Sequence, residues 1–225
     1  MTNIKEHFEE IAKDYDYYKK KNWYYYYNLK ELLREKIKVN SNVFEVGCGT
    51  GNLISYVKPR RGFGIDISKN MIKIAKQKHS KEKNLKFMTG SAEDFKTIEK
   101  FDYIFMADVI EHLGSVEKTI KNISKIMDKK TLFIVTMINP IWEPILMSLE
   151  KLKMKMPEGP HNRVNLRYLK KEFIKNKLEL ERISYRIIIP APIPLVADFF
   201  NSFFHRMPLV KRMCLVQVLE IRKNR

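Results

Sequence analysis

The sequence predicts an α/β protein, a doubly wound, mostly parallel sheet with helices on both faces. Three observations predict it. Short apolar runs alternate with helical patterns from residue 43 to residue 137. One of those runs, Phe101–Ala107 (FDYIFMA), is nearly all apolar, as a strand buried on both faces must be. A glycine turn, Gly47–Gly51, follows the first run directly and opens a helix.

The elements follow in order. Residues 5–20 (KEHFEEIAKDYDYYKK) form one helical pattern, with Phe8, Ile11, Ala12 and Tyr15 on one side. The aromatic run Trp23–Tyr27 reads as a packed face, and a second helical pattern covers Leu29–Lys36. Asn40-Ser41-Asn42 is a turn. Val43–Val46 is the first strand, and the helix after the glycine turn, from about Asn52 to Val57, is stopped by Pro59. Gly62–Ile67 is the second strand, and Ser68 is a good N-cap for a helix over Lys69–Lys78. Leu85–Thr89 and Phe101–Ala107 are strands three and four, Val116–Met127 is a helix, and Thr131–Met137 is strand five.

Residues 138–165 break the rhythm. They hold four prolines and an amphipathic stretch, Trp142–Leu152, and read as an inserted lid. Arg167–Asn176 returns to helix, and Leu178–Ile189 is a long sixth strand. Residues 190–212 are proline-punctuated and rich in aromatics, and Cys214–Ile221 is the seventh strand. The last two strands suggest an antiparallel hairpin at the sheet edge. The expected organisation is one domain over 1–225: an N-terminal helical cap at 1–40, the lid at 138–165, and the aromatic-rich segment before the last strand.

The bulk composition bounds the function. A chain of 225 residues, 44% hydrophobic and 12% aromatic, suits one globular domain with a real core. Its two cysteines, Cys48 and Cys214, lie far apart and argue against a disulfide framework or thiolate zinc site; a reducing, cytoplasmic compartment fits. The charged N-terminus has no apolar signal core, and no uninterrupted apolar run approaches the ~18 residues of a spanning helix. A net charge of +17 attracts nucleic acid, acidic metabolites or anionic lipid. The lysines are spread along the chain, which favours solvated faces over a nucleic-acid surface. The apolar, basic-flanked segment 191–212 suits core or pocket wall first and peripheral membrane contact second.

The chemistry concentrates at Glu45-Val-Gly47-Cys48-Gly49-Thr-Gly51. Glycines let backbone approach a ligand closely, and a helix start presents free N–H groups. A dinucleotide fingerprint needs glycine at 52 or 54, where Asn52 and Ile54 stand. No Gly-Lys-Ser/Thr follows, so the phosphate-binding loop is excluded too. The carboxylate of Glu45 beside the turn would repel a pyrophosphate.

On these residues, with GFGIDIS, GSAEDF and ADVIEHL further on, the chain resembles the class I S-adenosylmethionine-dependent methyltransferases over about residues 8–190. The resemblance implies a Rossmann-like, seven-stranded sheet with an antiparallel last strand. It implies that Glu45, Gly47, Cys48, Gly49 and Gly51 form the cofactor turn, and that Asp66, with Ile67 beside it, takes the ribose hydroxyls. Asp66 as a helix-start residue is the plainer reading. Ala92 and either Glu93 or Asp94 would face the adenine, Asp108 would line the methyl-donor pocket, and Tyr15 on the N-terminal cap would cover the cofactor.

Asp108-Val-Ile-Glu111-His112 carries a second signal. If helical, the segment puts two carboxylates and an imidazole on one face, a set that suits magnesium or a similar divalent cation. The segment is similar to that of quinone-biosynthesis O-methyltransferases, to which such a metal site is attributed. Packing of the loop without metal is the alternative, as is His112 acting as general base. The lid offers another candidate base, His161, with Glu158 and Arg163 near it. The expected acceptor is a small molecule, a hydroxyl of an aromatic, quinone-like or lipid-like compound. Methylation of tRNA or another RNA is the rival reading, motivated by charge, although the position after strand four reads ADVI and lacks an N-P-P-Y or D-P-P-Y tetrapeptide. A non-catalytic binding partner is the other, against which the intact turn and Asp66 argue.

Overall fold

A computed structural model describes residues 4–152, 156, 157, 159, 162, 164–190, 196–203, 207 and 210–224. Helices α1 (Ile4–Ile11), α2 (Tyr15–Lys21) and α3 (Trp23–Lys36) precede the sheet. Strand β1 (Asn42–Val46), helix α4 (Asn52–Tyr56), β2 (Arg61–Asp66), α5 (Lys69–Lys78) and β3 (Leu85–Thr89) follow. Then come β4 (Tyr103–Ala107), α6 (Val116–Ile126) and β5 (Leu132–Ile138). Helices α7 (Glu143–Lys151) and α8 (Leu166–Lys175), strand β6 (Leu178–Arg186), α9 (Val196–Phe203) and β7 (Val216–Lys223) complete the chain.

The seven strands are ordered β3-β2-β1-β4-β5-β7-β6. β1 to β5 are parallel, and β7 runs antiparallel to both β5 and β6. The predicted α/β class, strand number and antiparallel last strand are all present. Strand alternation sorts the core onto two faces. Phe44, Val46, Ile104, Met106, Phe133 and Val135 pack against α6 and α8 through Ile120, Ile123, Leu169 and Phe173. Val43, Phe105 and Ile134 pack against α3, α4 and α5 through Leu33, Ile54 and Ile72. Burying a side chain of this size is worth about 1.5–3 kcal/mol each, so both faces must be covered. The chain winds outward in opposite directions from β1 and β4, and the crevice where ligands bind in such sheets lies at their carboxyl ends.

The N-terminal helix predicted over 5–20 is two helices. Tertiary contacts override its continuous pattern: Ala12 is buried at the break, Glu9 caps the start of α5, and Tyr15 is drawn onto the glycine turn. Ser68 caps α5 as predicted, its hydroxyl accepting from the Met71 amide at 3.1 Å. α3 begins at Trp23 rather than Leu29, because the aromatic run is itself helical. β6 stops at Arg186, three residues early. Ile187 there takes a left-handed φ of 60°, and the next two amides turn to the Asn201 side chain. Among the described residues, no helix is long and apolar enough to cross a membrane.

Candidate active site

A cavity of about 580 Å³ opens at the carboxyl ends of β1, β2 and β4, beneath the N-terminal helices and the lid. Gly47, Gly49, Asp66, Ile67, Ala92, Glu93, Asp108, His112 and Tyr15, all candidate site residues from the sequence, line this one cavity. The glycines are required by shape. Gly47, Gly49 and Gly51 have φ of 71°, 52° and 79°, and a Cβ on Gly47 would lie 2.4 Å from Val109. Tyr15 lies directly over Gly49, where a Cβ would come within 2.9 Å of its ring.

The carboxylates take distinct parts. Asp66 accepts the Gly49 amide at 2.8 Å and the Ser68 amide at 2.9 Å, so it both shapes the turn and faces the cavity. Burial pushes its pKa above the usual aspartate value, against those two donors and the Lys19 charge. Glu45 is 2% exposed and points to the opposite face of β1, where it accepts the Ile54 amide at 3.1 Å. That carboxylate caps α4 and does not line the cavity. Burial raises its pKa well above the ordinary value. Cys48 likewise turns inward, packing where a Cβ on Gly64 would meet its sulfur at 2.8 Å, and Gly51 backs onto Phe87. Both cysteines are free and buried. Glu93 lines the cavity and Asp94 does not, but the Glu93 carboxylate accepts the Ser115 amide at 2.8 Å, at the start of α6.

The expected cation site is not assembled. Asp108 sits at a left-handed φ of 56°, and only Ile110–His112 forms a short 3-10 turn, so residues 108, 111 and 112 do not share one helical face. Asp108 accepts from the Tyr25 hydroxyl at 2.7 Å and the Thr136 hydroxyl at 3.0 Å. Those bonds offset the roughly 1 kcal/mol or more that a left-handed aspartate costs. Glu111 does not line the cavity; its carboxylate accepts the Ile138 amide at 2.9 Å, and its carbonyl accepts the Asn162 amide at 2.7 Å. It therefore holds both roots of the lid. Among the described residues, no group of three or more His, Cys, Asp or Glu could hold a metal ion.

His112 remains on the cavity wall, edge-on to Phe8 with ring centres 5.4 Å apart. His161, Glu158 and Arg163 lie outside the described residues. Several lining residues carry no local sequence signal. Lys19 sets its ammonium 4.4 Å from the Tyr15 ring and 4.7 Å from the Tyr26 ring. Trp23, Tyr24, Tyr25 and Tyr26, expected as a packed face, line the cavity. The lid closes it with Leu146, Leu149 and Met156, and His7 on α1 meets the Pro157 carbonyl at 3.0 Å. The period of α3 alone could not separate a cavity face from a packed one.

Known proteins share this fold. A family model described as a methyltransferase domain matches residues 37–183. The ubiquinone biosynthesis O-methyltransferase of Pelagibacter ubique is 30% identical over 131 residues, 55% of this chain and 54% of its own length. The chain spans about half the length of the curated relatives it matches. A chain in the complex between the Haloferax volcanii Trm112 methyltransferase activator and a methyltransferase superposes with a TM-score of 0.73 at 16% identity, covering 97% of this chain and 98% of its own. A SAM-dependent methyltransferase of Thermotoga maritima gives 0.72 at 17% identity, covering 98% of this chain and 100% of its own. At these identities the two structures speak for the fold alone.

Proposed function

The chain belongs to the methyltransferase-domain family, and we propose that it moves a methyl group from S-adenosylmethionine to a hydroxyl of an apolar small molecule. The observation that carries this reading is the turn at Gly47–Gly51, whose Gly47 and Gly49 present bare backbone to the same cavity as the Asp66 carboxylate. The residues present fit the cofactor. Asp66 retains lone pairs for ribose hydroxyls, Lys19 offers an ammonium for a carboxylate, and the Tyr15 ring lies over the turn. The bound cofactor supplies an electrophilic methyl on a cationic sulfur.

The protein then has three tasks. Asp108 and Tyr25 fix the polar floor of the cavity beside the acceptor. The lid and N-terminal helices exclude water. His112, facing the cavity, would take the proton of the acceptor hydroxyl as that oxygen is methylated. His161 is the rival base from the lid.

The acceptor class rests on the wall. Trp23, Tyr24, Leu146, Leu149, Met156 and Leu215 favour an aromatic, quinone-like or lipid-like molecule over an RNA, which calls for an open basic groove. The outer side of the lid supports a lipid-like acceptor, since Ile141, Ile145 and Leu152 are 61%, 51% and 68% exposed. With Lys151 among them, they suit peripheral contact with anionic lipid. A transfer screen with labelled cofactor against quinols, phenols, lipids and tRNA tests the reading. Transfer to tRNA alone, or to none of these with intact cofactor binding, would overturn it.

A further inference from the structure

His79, at the carboxyl end of α5, lies outside the cavity yet touches the cofactor turn. Its Nδ1 is 2.6 Å from the Glu82 carboxylate, and its Nε2 is 3.1 Å from the Thr50 carbonyl oxygen. Both partners can only accept. A neutral imidazole has a single N–H, so it can satisfy one of them and must turn a lone pair toward the other. The ring is buried, with no room to swing away: Phe87 packs on it at 5.5 Å between centres, and a Cβ on Gly51 would come within 2.9 Å of its Cδ2.

The carbonyl that His79 holds belongs to the middle of the turn. Thr50 is 1% exposed, and its hydroxyl donates to Asp16 on α2 at 2.7 Å. Asn52 donates to the same Asp16 oxygen at 2.7 Å. The turn is thus gripped by the cap helix through Asp16 and, at its carbonyl, by His79. We propose that His79 is a positioning residue, an imidazolium that clamps the Thr50–Gly51 peptide and makes cofactor affinity fall as pH rises.

The charges around the ring are Glu82, Lys78 and Asp16, and Lys78 is paired with Asp16 at 2.7 Å. α4 contributes Ser55, which donates to Glu82 at 2.9 Å, and β3 contributes Phe87; neither is charged. Burial pushes Glu82 up, but hydrogen bonds from His79 and Ser55 outweigh it and hold the carboxyl below the usual glutamate value. Glu82 therefore stays an ionised acceptor beside the ring. On losing a proton, His79 keeps the hydrogen facing the carboxylate, the stronger, charge-assisted bond. Nε2 then presents a lone pair to the Thr50 oxygen, and the turn relaxes. By linkage, a ligand that needs the closed turn also makes that proton harder to remove.

The inference rests on reading the turn as the seat of S-adenosylmethionine. Nitrogen-15 NMR of the His79 ring and calorimetry with S-adenosylmethionine, from about pH 5.5 to about pH 8.5, test it. Both ring nitrogens should read as protonated at the acid end, with Kd rising roughly tenfold as the proton leaves. His79→Gln can still donate to Thr50 but carries no titrating proton, and its Kd should lose that alkaline rise. Glu82→Gln should move the ring's titration to lower pH. A ring neutral throughout, or a His79→Gln profile matching wild type, overturns the clamp. A protein that binds no cofactor at any pH sinks the methyl-transfer reading, while the ring spectrum still decides the clamp.

Discussion

The Tyr25 hydroxyl donates to the Asp108 carboxylate at 2.7 Å, so a side chain of α3 ties itself to the end of β4 across the cavity. Burial, and then the charge of Asp108, push the Tyr25 pKa well above the ordinary value, so the phenol stays a donor. Asp108 also takes the Thr136 hydroxyl, which fixes both of its oxygens. Tyr25→Phe keeps the ring's packing and deletes one hydrogen bond to a charged group, worth about 1.5–3 kcal/mol. Methyl-transfer kinetics should show kcat/KM reduced by roughly tenfold or more. A variant within twofold of wild type would remove Tyr25 from the machinery.

Glu111 accepts the Ile138 amide with its side chain and the Asn162 amide with its carbonyl, so it braces the lid at both ends. Glu111→Ala strands the Ile138 amide and should cost about 1–3 kcal/mol, with faster hydrogen exchange at Ile138. Glu111→Gln keeps an accepting oxygen and should behave nearly as wild type. A metal ligand would tolerate neither change, so equal loss of activity in both variants would restore the cation-site reading.

How far the site was legible depended on how local each cause was. The glycine turn and the Ser68 cap act within a few residues of chain, and pattern alone placed them, whereas Asp66 was read from the family resemblance and its bond to the Gly49 amide reaches back across α4. Glu45 was legible as a partner of the turn but not as a cap for α4, because the direction of its side chain depends on which face of β1 that helix covers. Asp108, Glu111 and His112 have helical spacing, yet the left-handed residue at 108 breaks the face they would share. Lys19 and Trp23–Tyr26 became cavity residues only through the docking of α2 and α3, a tertiary fact with no sequence period of its own.

Asp66 makes cofactor binding sensitive to acid. Its folded pKa is raised by burial, so the folded chain holds this proton more readily than the unfolded chain does. Ionising Asp66 therefore costs some fold stability as pH rises, whereas ribose hydroxyls need the ionised acceptor. Affinity for S-adenosylmethionine should fall on acidification, beginning above the ordinary aspartate value of about 3.9. Asp66→Ala should weaken binding by roughly a hundredfold or more, two hydrogen bonds to a charged group at about 1.5–3 kcal/mol each. Calorimetry reads both, and unchanged affinity in Asp66→Ala would refute the ribose assignment.

Gly49 and Gly51 share a left-handed backbone, but a side chain at each should fail differently. At Gly51 a Cβ would lie 2.7 Å from Phe87 and 2.9 Å from His79, two rings fixed in the core beneath the turn. At Gly49 it would meet Tyr15, at 2.9 Å, on a helix that caps the cavity from outside. Either alanine costs about 1–2 kcal/mol for its backbone. Gly51→Ala adds overpacking of about 1–3 kcal/mol, because neither ring has a free rotamer to escape into. Its melting temperature should fall by roughly 5–15 °C. Gly49→Ala can push Tyr15 aside, so it should lose less stability and proportionally more affinity for S-adenosylmethionine. Thermal denaturation beside calorimetry separates the two, and equal melting temperatures would mean that the core under Gly51 yields as readily as the cap over Gly49.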